Sequence, residues 1–537
     1  MNLNNTQFVF EGKTKRVLYG GLALGVLCLV LVFFNDDEYH TRFWTNILHN
    51  SVYFTGIALM AMFFMCAQIT AFAGWNAVIR RIWEAMSQFL WVGIVLMAII
   101  AAGVWGHFHH LYHWNDPHVN VTDPAAPHFD RIIAGKKGFL NPVFFTIATV
   151  GFVALWYFWA RNVRSISIAQ DTQETASLDY YKKIRKWAAS FLPIAGFLSP
   201  VLLWQAVMSV DPHWYSTMFA WYSTASAWLG SISFTVMIII YLKSKGYLEY
   251  VTHDHLHDVG KFLFGISVFW TYLWFDQFML IWYANNGEET IYFNQRMTHY
   301  PVLFWGNLLL NFVTPFLILM RNDTKRKFGT MFFVAAIVFF GHWWDYFYMI
   351  KPGARIAAFE AKELAEGGHA KAHEAAPISE AAHETAAQPA AEAEATPATE
   401  AAATHEGDTS TAAHTETAPA GHSEATHGEA TATHETPAAE ATSAAPAPHG
   451  EAAHGGDAHG GEHAVAAEPD SFRVGFTIPG LEELGILIGF LSLFLFFLFG
   501  QLERASLVPW KDPFLEESLH HETGAMIESE QTGGGHH

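Results

Sequence analysis

Ten runs of mainly apolar residues divide this chain, most of them close to or above the roughly 20 residues that a helix needs to cross hydrocarbon. They cover approximately 17–34, 47–73, 86–106, 139–160, 188–209, 217–242, 260–284, 300–320, 329–350 and 480–500 of the 537 residues. Aromatic residues crowd the ends of the runs, as in "LWYFWA" and "HWWDYFY". That is where Trp and Tyr settle at a bilayer interface, one edge apolar and the other polar. Charged residues make up only 15% of the chain, against the ~25% usual for soluble domains. One soluble globular domain is thereby excluded. The expected fold class is an all-α polytopic membrane protein with ten transmembrane helices. The two cysteines, Cys28 and Cys66, both fall inside spans and read as small buried hydrophobes. This leaves no disulfide framework and no thiolate metal motif.

Lys and Arg set the expected orientation. The N-terminal tail, the loops after every second span and the C-terminal tail together hold 20 of the 30 basic residues. The other side holds 10, spread over much more loop sequence. Cytoplasmic loops are the basic ones, so both termini are expected in the cytoplasm of a bacterial inner membrane, in agreement with an even number of spans. No small-residue cleavage site follows the first run, which continues as "FFNDDEYH", so it reads as a retained anchor.

The formal charge of −20 is unevenly placed. Residues 351–470 carry 21 of the 50 acids and only 4 of the 30 bases, a net −17, which leaves −3 for the remainder. A basic nucleic-acid binder is excluded. Residues 352–470 repeat Ala, Glu, His, Thr, Gly and Pro, as in "AAHETAA" and "ATHETPA", with almost no large apolar side chain. Nothing there offsets the entropy of ordering, so a disordered periplasmic insert is expected between spans nine and ten. Its 12 histidines suit capture of transition metals, its acids suit a solvating linker, and its charge suits attraction of a basic soluble partner. The domain plan is nine spans over 1–350, the insert over 351–470, the tenth span over 471–505 and a cytoplasmic tail over 506–537.

Polar groups at membrane depth are costly, so each one is a functional candidate. Their expected heights are uneven. His49, His107, Gln205, Asp211, Asp276, Gln277, Asn307, Asn311, His342 and Asp345 all fall toward the outer ends of their spans. The inner half is expected to offer only groups such as Gln68, Ser231, Ser233 and Thr235, with no Asp or Glu well inside it. His342 and Asp345 are three residues apart and share a helix face, as do Asn307 with Asn311 and Tyr272 with Asp276, four apart. A carboxylate beside an imidazole can hold and pass a proton. Against this stands interhelical packing, the commoner use of a lone membrane His or Asn. His109 and His113 read as solvated loop residues, and Asp211-Pro212 as a helix end. The histidines show no regular pairing of the kind a b-type haem needs, and neither a P-loop nor a dinucleotide-binding glycine fingerprint is present.

Three stretches are similar to one known family. "SPVLLWQAVMSVDPHWYSTMFAWY" at 199–222, "YLWFDQFMLIWYANNGEETIYF" at 272–293 and "LVPWKDPFLEESLHHE" at 507–522 resemble the F subunits (ActF) of bacterial alternative complex III. These belong to the NrfD/polysulfide-reductase membrane-subunit superfamily. The resemblance spans nearly all of the membrane part and leaves out the His/Glu/Ala insert. It implies an NrfD-like fold in which spans two to five and six to nine form two four-helix bundles, with two peripheral helices. It implies participation in a quinol:cytochrome c oxidoreductase, with menaquinol or another quinol as substrate of the complex and no cofactor bound by this subunit. Haem c and iron–sulfur clusters would sit in partner subunits, beside a sister NrfD-like subunit and, in a supercomplex, a terminal oxidase. The matching polar positions are Asp211 and His213 in "DPHW", Asp276 and Gln277 in "FDQF", and Glu288 and Glu289 in "GEET". Quinol oxidation releases two protons with two electrons. A polar cluster in the outer half is where a quinone-accessible pocket, an exit route for those protons, or both are expected. The alternative is a non-catalytic scaffold that anchors the redox subunits.

Overall fold

The computed structural model describes residues 7–124, 129–365 and 475–523. Among these residues the regular structure is helical, apart from one isolated bridge between Asn120 and Phe129. Among the described residues, ten helices are long and apolar enough to cross a membrane, which makes this a multi-pass membrane protein by length and composition. They are α1 (Gly12–Phe34), α2 (Thr41–Thr70), α3 (Arg80–Gly106), α4 (Pro142–Asp171), α5 (Leu178–Val210), α6 (Thr217–Ser244), α7 (His253–Ala284), α8 (Pro301–Leu319), α9 (Phe328–Lys362) and α10 (Leu481–Leu502). Successive helices alternate in direction. The near end of the molecule is where α1 starts and the far end is where it finishes.

Several helices outrun their apolar stretches. α3 starts at Arg80, α5 at Leu178 and α7 at His253, each some residues ahead of its apolar run. Hydropathy stops at the first charged side chains, but backbone hydrogen bonding continues where those side chains find partners. The largest correction concerns α9. The insert was expected from residue 351, yet the helix that starts at Phe328 runs to Ala365 and carries Lys351, Arg355 and Glu360 beyond the apolar core. Expectations for the rest of the insert fall on residues 366–474, outside the described residues.

α2, α6 and α9 are the most buried helices, and the others pack around them. α2 packs against α3, α5, α6 and α9, while α6 also packs against α7 and α9. α8 lies between α7 and α9. α1 packs chiefly on α10 through small residues. Gly21 faces Ser492, Gly25 faces Gly489, and Cys28 faces Gly485, so closely that a methyl group on Gly25 would overlap the Gly489 backbone. Such small-residue seams let helices approach in lipid, where no hydrophobic force draws them together.

Local irregularities aim the polar side chains. α3 bends at Gln88–Phe89, between the helical stretches Arg80–Ser87 and Leu90–Gly106. α8 contains a π-turn over Leu309–Val313 just ahead of Pro315. Single π-turns of this kind frequently mark functional positions.

Candidate functional site

Midway along α9, the Asp345 carboxylate is fully buried. Oδ1 accepts hydrogen bonds from the Tyr222 hydroxyl of α6 and from Asn307 Nδ2 of α8, the latter at 2.6 Å. Oδ2 accepts from Trp270 Nε1 of α7 at 3.0 Å and lies 3.9 Å from His342 Nδ1, one turn earlier on α9. His342 Nδ1 shares a hydrogen bond with Ser226 Oγ at 2.9 Å, and its Nε2 is buried with no partner among the described residues. Asn311 Nδ2 donates to Asn307 Oδ1 at 2.6 Å and to the Gly341 carbonyl at 2.9 Å. A methyl group at residue 341 would collide with Asn311 Oδ1, so the contact between the π-turn of α8 and α9 needs glycine there. Four nominated residues, Asn307, Asn311, His342 and Asp345, thus form one network. Neither Lys nor Arg of the described residues lies within ion-pair distance of Asp345, so every donor to it is neutral unless His342 is protonated.

One turn further toward the far end, Tyr348 is buried and its hydroxyl has no hydrogen-bond partner among the described residues. The Arg296 guanidinium lies 5.7 Å from that ring and 3.4 Å from the Tyr292 ring. Arg296 Nη2 donates to Asp211 Oδ2 at 2.8 Å, and Asp211 is partly open to the surface. Burial disfavours the charge on Arg296, but the Tyr292 hydroxyl and Asp211 outweigh it, and the guanidinium stays firmly protonated. Gly353 makes room for Asp211, whose carboxylate oxygens would lie 2.6–2.7 Å from a Cβ there. Tyr348 and Arg296 thus stand between the His342–Asp345 network and Asp211, but no hydrogen bond joins Tyr348 to either among the described residues.

His213 belongs to a second far-end group. Its Nε2 lies 2.6 Å from Asp130 Oδ2, and its ring centroid is 5.6 Å from that of His113. A ring nitrogen of each histidine and a carboxylate oxygen of Asp130 lie within 4.8 Å of one another, close enough to gather around a metal ion. Burial, and then the charge of His213, pushes the His113 imidazole down to about 4. Burial works against the charge on His213, but its hydrogen bond to Asp130 holds it above its usual value.

The other nominated residues stand apart from both groups. His49 is buried and its Nε2 lies 2.9 Å from the Trp343 carbonyl. Gln205 Nε2 donates to the Phe139 carbonyl at 2.7 Å, and Gln277 Nε2 to Ser216 Oγ at 2.9 Å. His107 is an exposed left-handed residue that ends α3. Glu288 and Glu289 occupy the first turn of the surface helix Gly287–His299, where their charge complements the helix dipole. Asp276 is half-buried with no hydrogen bond or ion pair among the described residues, on the same outward face as the exposed Tyr272. A small, mostly apolar cavity between α2, α3, α4, α5, α6 and α9 is lined by Thr55, Ser199, Thr224 and Tyr346 among apolar neighbours, and none of the nominated residues reaches it.

Four expectations need correction or extension. His109 and His113 are buried rather than solvated, because the α3–α4 connection folds back over the helix ends. The near end holds a buried carboxylate that the hydropathy reading leaves outside the span. Glu84, on the charged first turns of α3 that hydropathy assigns to a loop, is buried 3.4 Å from Arg81 and 3.6 Å from Arg80. Arg80 also meets Asp512 of the C-terminal tail at 2.5 Å, and Arg81 meets Asp171 at 2.5 Å. At the far end the reading passed over Arg42, which pairs with the buried Glu483 of α10 at 2.7 Å. Tyr222 and Trp270 were also missed, since an aromatic residue in a span reads as packing or interface. A scan against protein-family models and a search of curated proteins return no match for this chain.

Proposed function

We propose that this chain is a membrane subunit of a quinol:cytochrome c oxidoreductase of the alternative complex III type, and that its His342–Asp345 pair relays protons toward the far side. On this reading the far side is the periplasm of a bacterial inner membrane, both termini are cytoplasmic, and the long insert is periplasmic. The fold is NrfD-like, with α2–α5 and α6–α9 as the two four-helix bundles and α1 and α10 as the peripheral pair. The subunit binds no cofactor of its own. Haem c and the iron–sulfur clusters belong to partner subunits, which take the two electrons of quinol while its two protons leave outward.

The observation that carries the reading is the isolation of Asp345 from any fixed cation. A buried carboxylate kept ionised for packing alone is normally paired with Lys or Arg. Asp345 instead faces neutral donors and one imidazole that can gain or lose a proton. Toward the far end, Asp211 is an acid partly open to the surface and held by Arg296; since Arg296 keeps its proton, passage from Asp345 to Asp211 needs water between them. The small cavity has room for little more than one water molecule, which favours a proton route over a quinone pocket at that place.

A second reading, a scaffold that only anchors redox partners, is favoured by the full burial of Asp345 and its three accepted hydrogen bonds. Replacement of Asp345 by Asn in the assembled complex separates the two. The relay requires quinol:cytochrome c turnover or outward proton release to fall by about tenfold or more, equal to ~1.4 kcal/mol of barrier, with assembly intact. Unchanged turnover and unchanged release would establish the scaffold.

A further inference from the structure

The group formed by His113, Asp130 and His213 stands apart from the network around Asp345. Its members come from separate places in the sequence. His113 opens a 3-10 turn in the α3–α4 connection, Asp130 caps the short helix Arg131–Lys136, and His213 follows Pro212 between α5 and α6. A fourth side chain approaches from α9, where Glu360 Oε2 lies 3.5 Å from His113 Nδ1. The His113 side chain is 8% exposed, and its Nδ1 makes no hydrogen bond among the described residues.

We infer that His113, His213, Asp130 and Glu360 form a binding site for a divalent transition-metal ion of the Zn²⁺ class. Two imidazoles and two carboxylates suit a four-coordinate ion of this kind, whereas Mg²⁺ and Ca²⁺ prefer all-oxygen sets. Ligand atoms around Zn²⁺ lie about 2.0–2.2 Å from the ion, hence roughly 3.2–3.6 Å from one another. The His213–Asp130 contact of 2.6 Å must open by several tenths of an ångström, the widest separations within the His113, Asp130 and His213 group, up to 4.8 Å, must close by about 1 Å, and Glu360, 3.5 Å from His113 but outside that group, must swing toward the other two. Side-chain rotation can supply these shifts. The ion takes the place of the proton shared by His213 and Asp130, and the His113 nitrogen gains a partner. Bound there, it ties the α3–α4 and α5–α6 connections to the far end of α9. In the sequence, Glu360 stands nine residues before His369, the first histidine of the His-rich tract.

The test uses the purified full-length chain and Zn²⁺ alone, with binding followed by equilibrium dialysis and thermal unfolding, and Co²⁺ as a spectroscopic probe. Wild type should bind one tightest equivalent of Zn²⁺, rise in Tm on addition, and show visible Co²⁺ bands of a four-coordinate nitrogen–oxygen site. His213→Gln should lose that equivalent, the Tm rise and the bands, leaving only weaker sites. Asp130→Asn should weaken the tightest site by tenfold or more. His113→Gln should behave as His213→Gln does. Should the buried His113 variant not fold, the half-exposed His213 and Glu360→Gln still decide the matter. Persistence of the tightest equivalent and of the Tm rise in both His213→Gln and Glu360→Gln would assign Zn²⁺ binding to the tract histidines and overturn the site.

Discussion

Two buried groups of ionisable side chains, one at each half of the helical body, are built on different principles. The near-end group around Glu84 closes on itself. Arg80 and Arg81 face Glu84, Asp171 and Asp512 across α3, α4 and the C-terminal tail, and Ser167 Oγ donates to Glu84 at 2.6 Å. Arg does not lose its proton at any ordinary pH, so this group has a fixed charge pattern and holds the tail against the helices. Among the described residues, the group around Asp345 contains no Arg or Lys. Its one carboxylate is matched by hydroxyl, amide, indole and imidazole. Arginine-paired acids serve cohesion. A histidine-paired acid with neutral donors can change charge without tearing the fold.

That contrast fails most visibly if the near-end group turns out to carry activity. Glu84→Ala leaves two buried guanidiniums facing one carboxylate fewer. It should lower stability by ~3–5 kcal/mol, the usual cost of breaking a buried ion pair from one side. The Tm of the purified chain and the yield of assembled complex should both drop. Complexes that do assemble should turn over at the wild-type rate. A turnover defect in fully assembled Glu84→Ala would abolish the distinction between the two groups.

At the other group the sharper probe is a glycine. Gly341→Ala places a methyl group against Asn311 Oδ1 and 2.9 Å from Leu310 Cβ. The π-turn of α8 must then retreat from α9, at a cost of ~1–3 kcal/mol for overpacking. Because Asn311 positions Asn307, and Asn307 holds Asp345 at 2.6 Å, turnover should fall together with Tm. Loss of Tm with full turnover would mean that the amide ladder is only packing.

The two groups also differ in how far the sequence announces them. Ten helices were legible because hydrocarbon demands long apolar runs, and the spacing of Asn307 with Asn311 and of His342 with Asp345 gave their shared faces directly. The donors on neighbouring helices were not legible. Tyr222 and Trp270 look like ordinary aromatic packing until α6, α7 and α9 are brought together. Glu84 and Glu483 were hidden for another reason. Each sits in the first turns of a helix, where charged neighbours end the apolar window although the backbone is already helical. Arg296 lies in a polar stretch that reads as loop, and only the surface helix Gly287–His299 turns it inward against Tyr292 and Asp211.

Outside the membrane helices, the far end extends the use of histidine beside carboxylate. Asp116 accepts from the backbone N–H of His118 at 2.9 Å and lies within 3.1 Å of His110 Nδ1 and 3.0 Å of His118 Nδ1. Burial would raise its carboxyl, but these hydrogen bonds hold it down at about 2. A depressed carboxyl stabilises the fold fully above its usual value near 4, and that contribution is lost as pH falls from about 4 toward 2. Asp116→Asn should therefore cost ~1–2 kcal/mol at pH 7 and flatten the acid limb of the Tm–pH profile. An unchanged acid limb would show that the α3–α4 connection draws no strength from its histidine-paired carboxylate.

The smallest effect on the isolated chain belongs to Asp276, the acidic residue within "FDQF". It faces outward from α7 beside Tyr272, with no partner among the described residues, unlike the enclosed Asp345. Asp276→Asn should shift the stability of the purified chain by no more than about 0.5 kcal/mol, as surface substitutions do. In the assembled complex it should lower turnover far less than Asp345→Asn. Equal losses in the two variants would move the proton route from the interior of this chain to the outer face of α7. The carboxylate would then need a cation or a water file supplied by a neighbouring subunit, because a charge at that place is not stable against lipid alone.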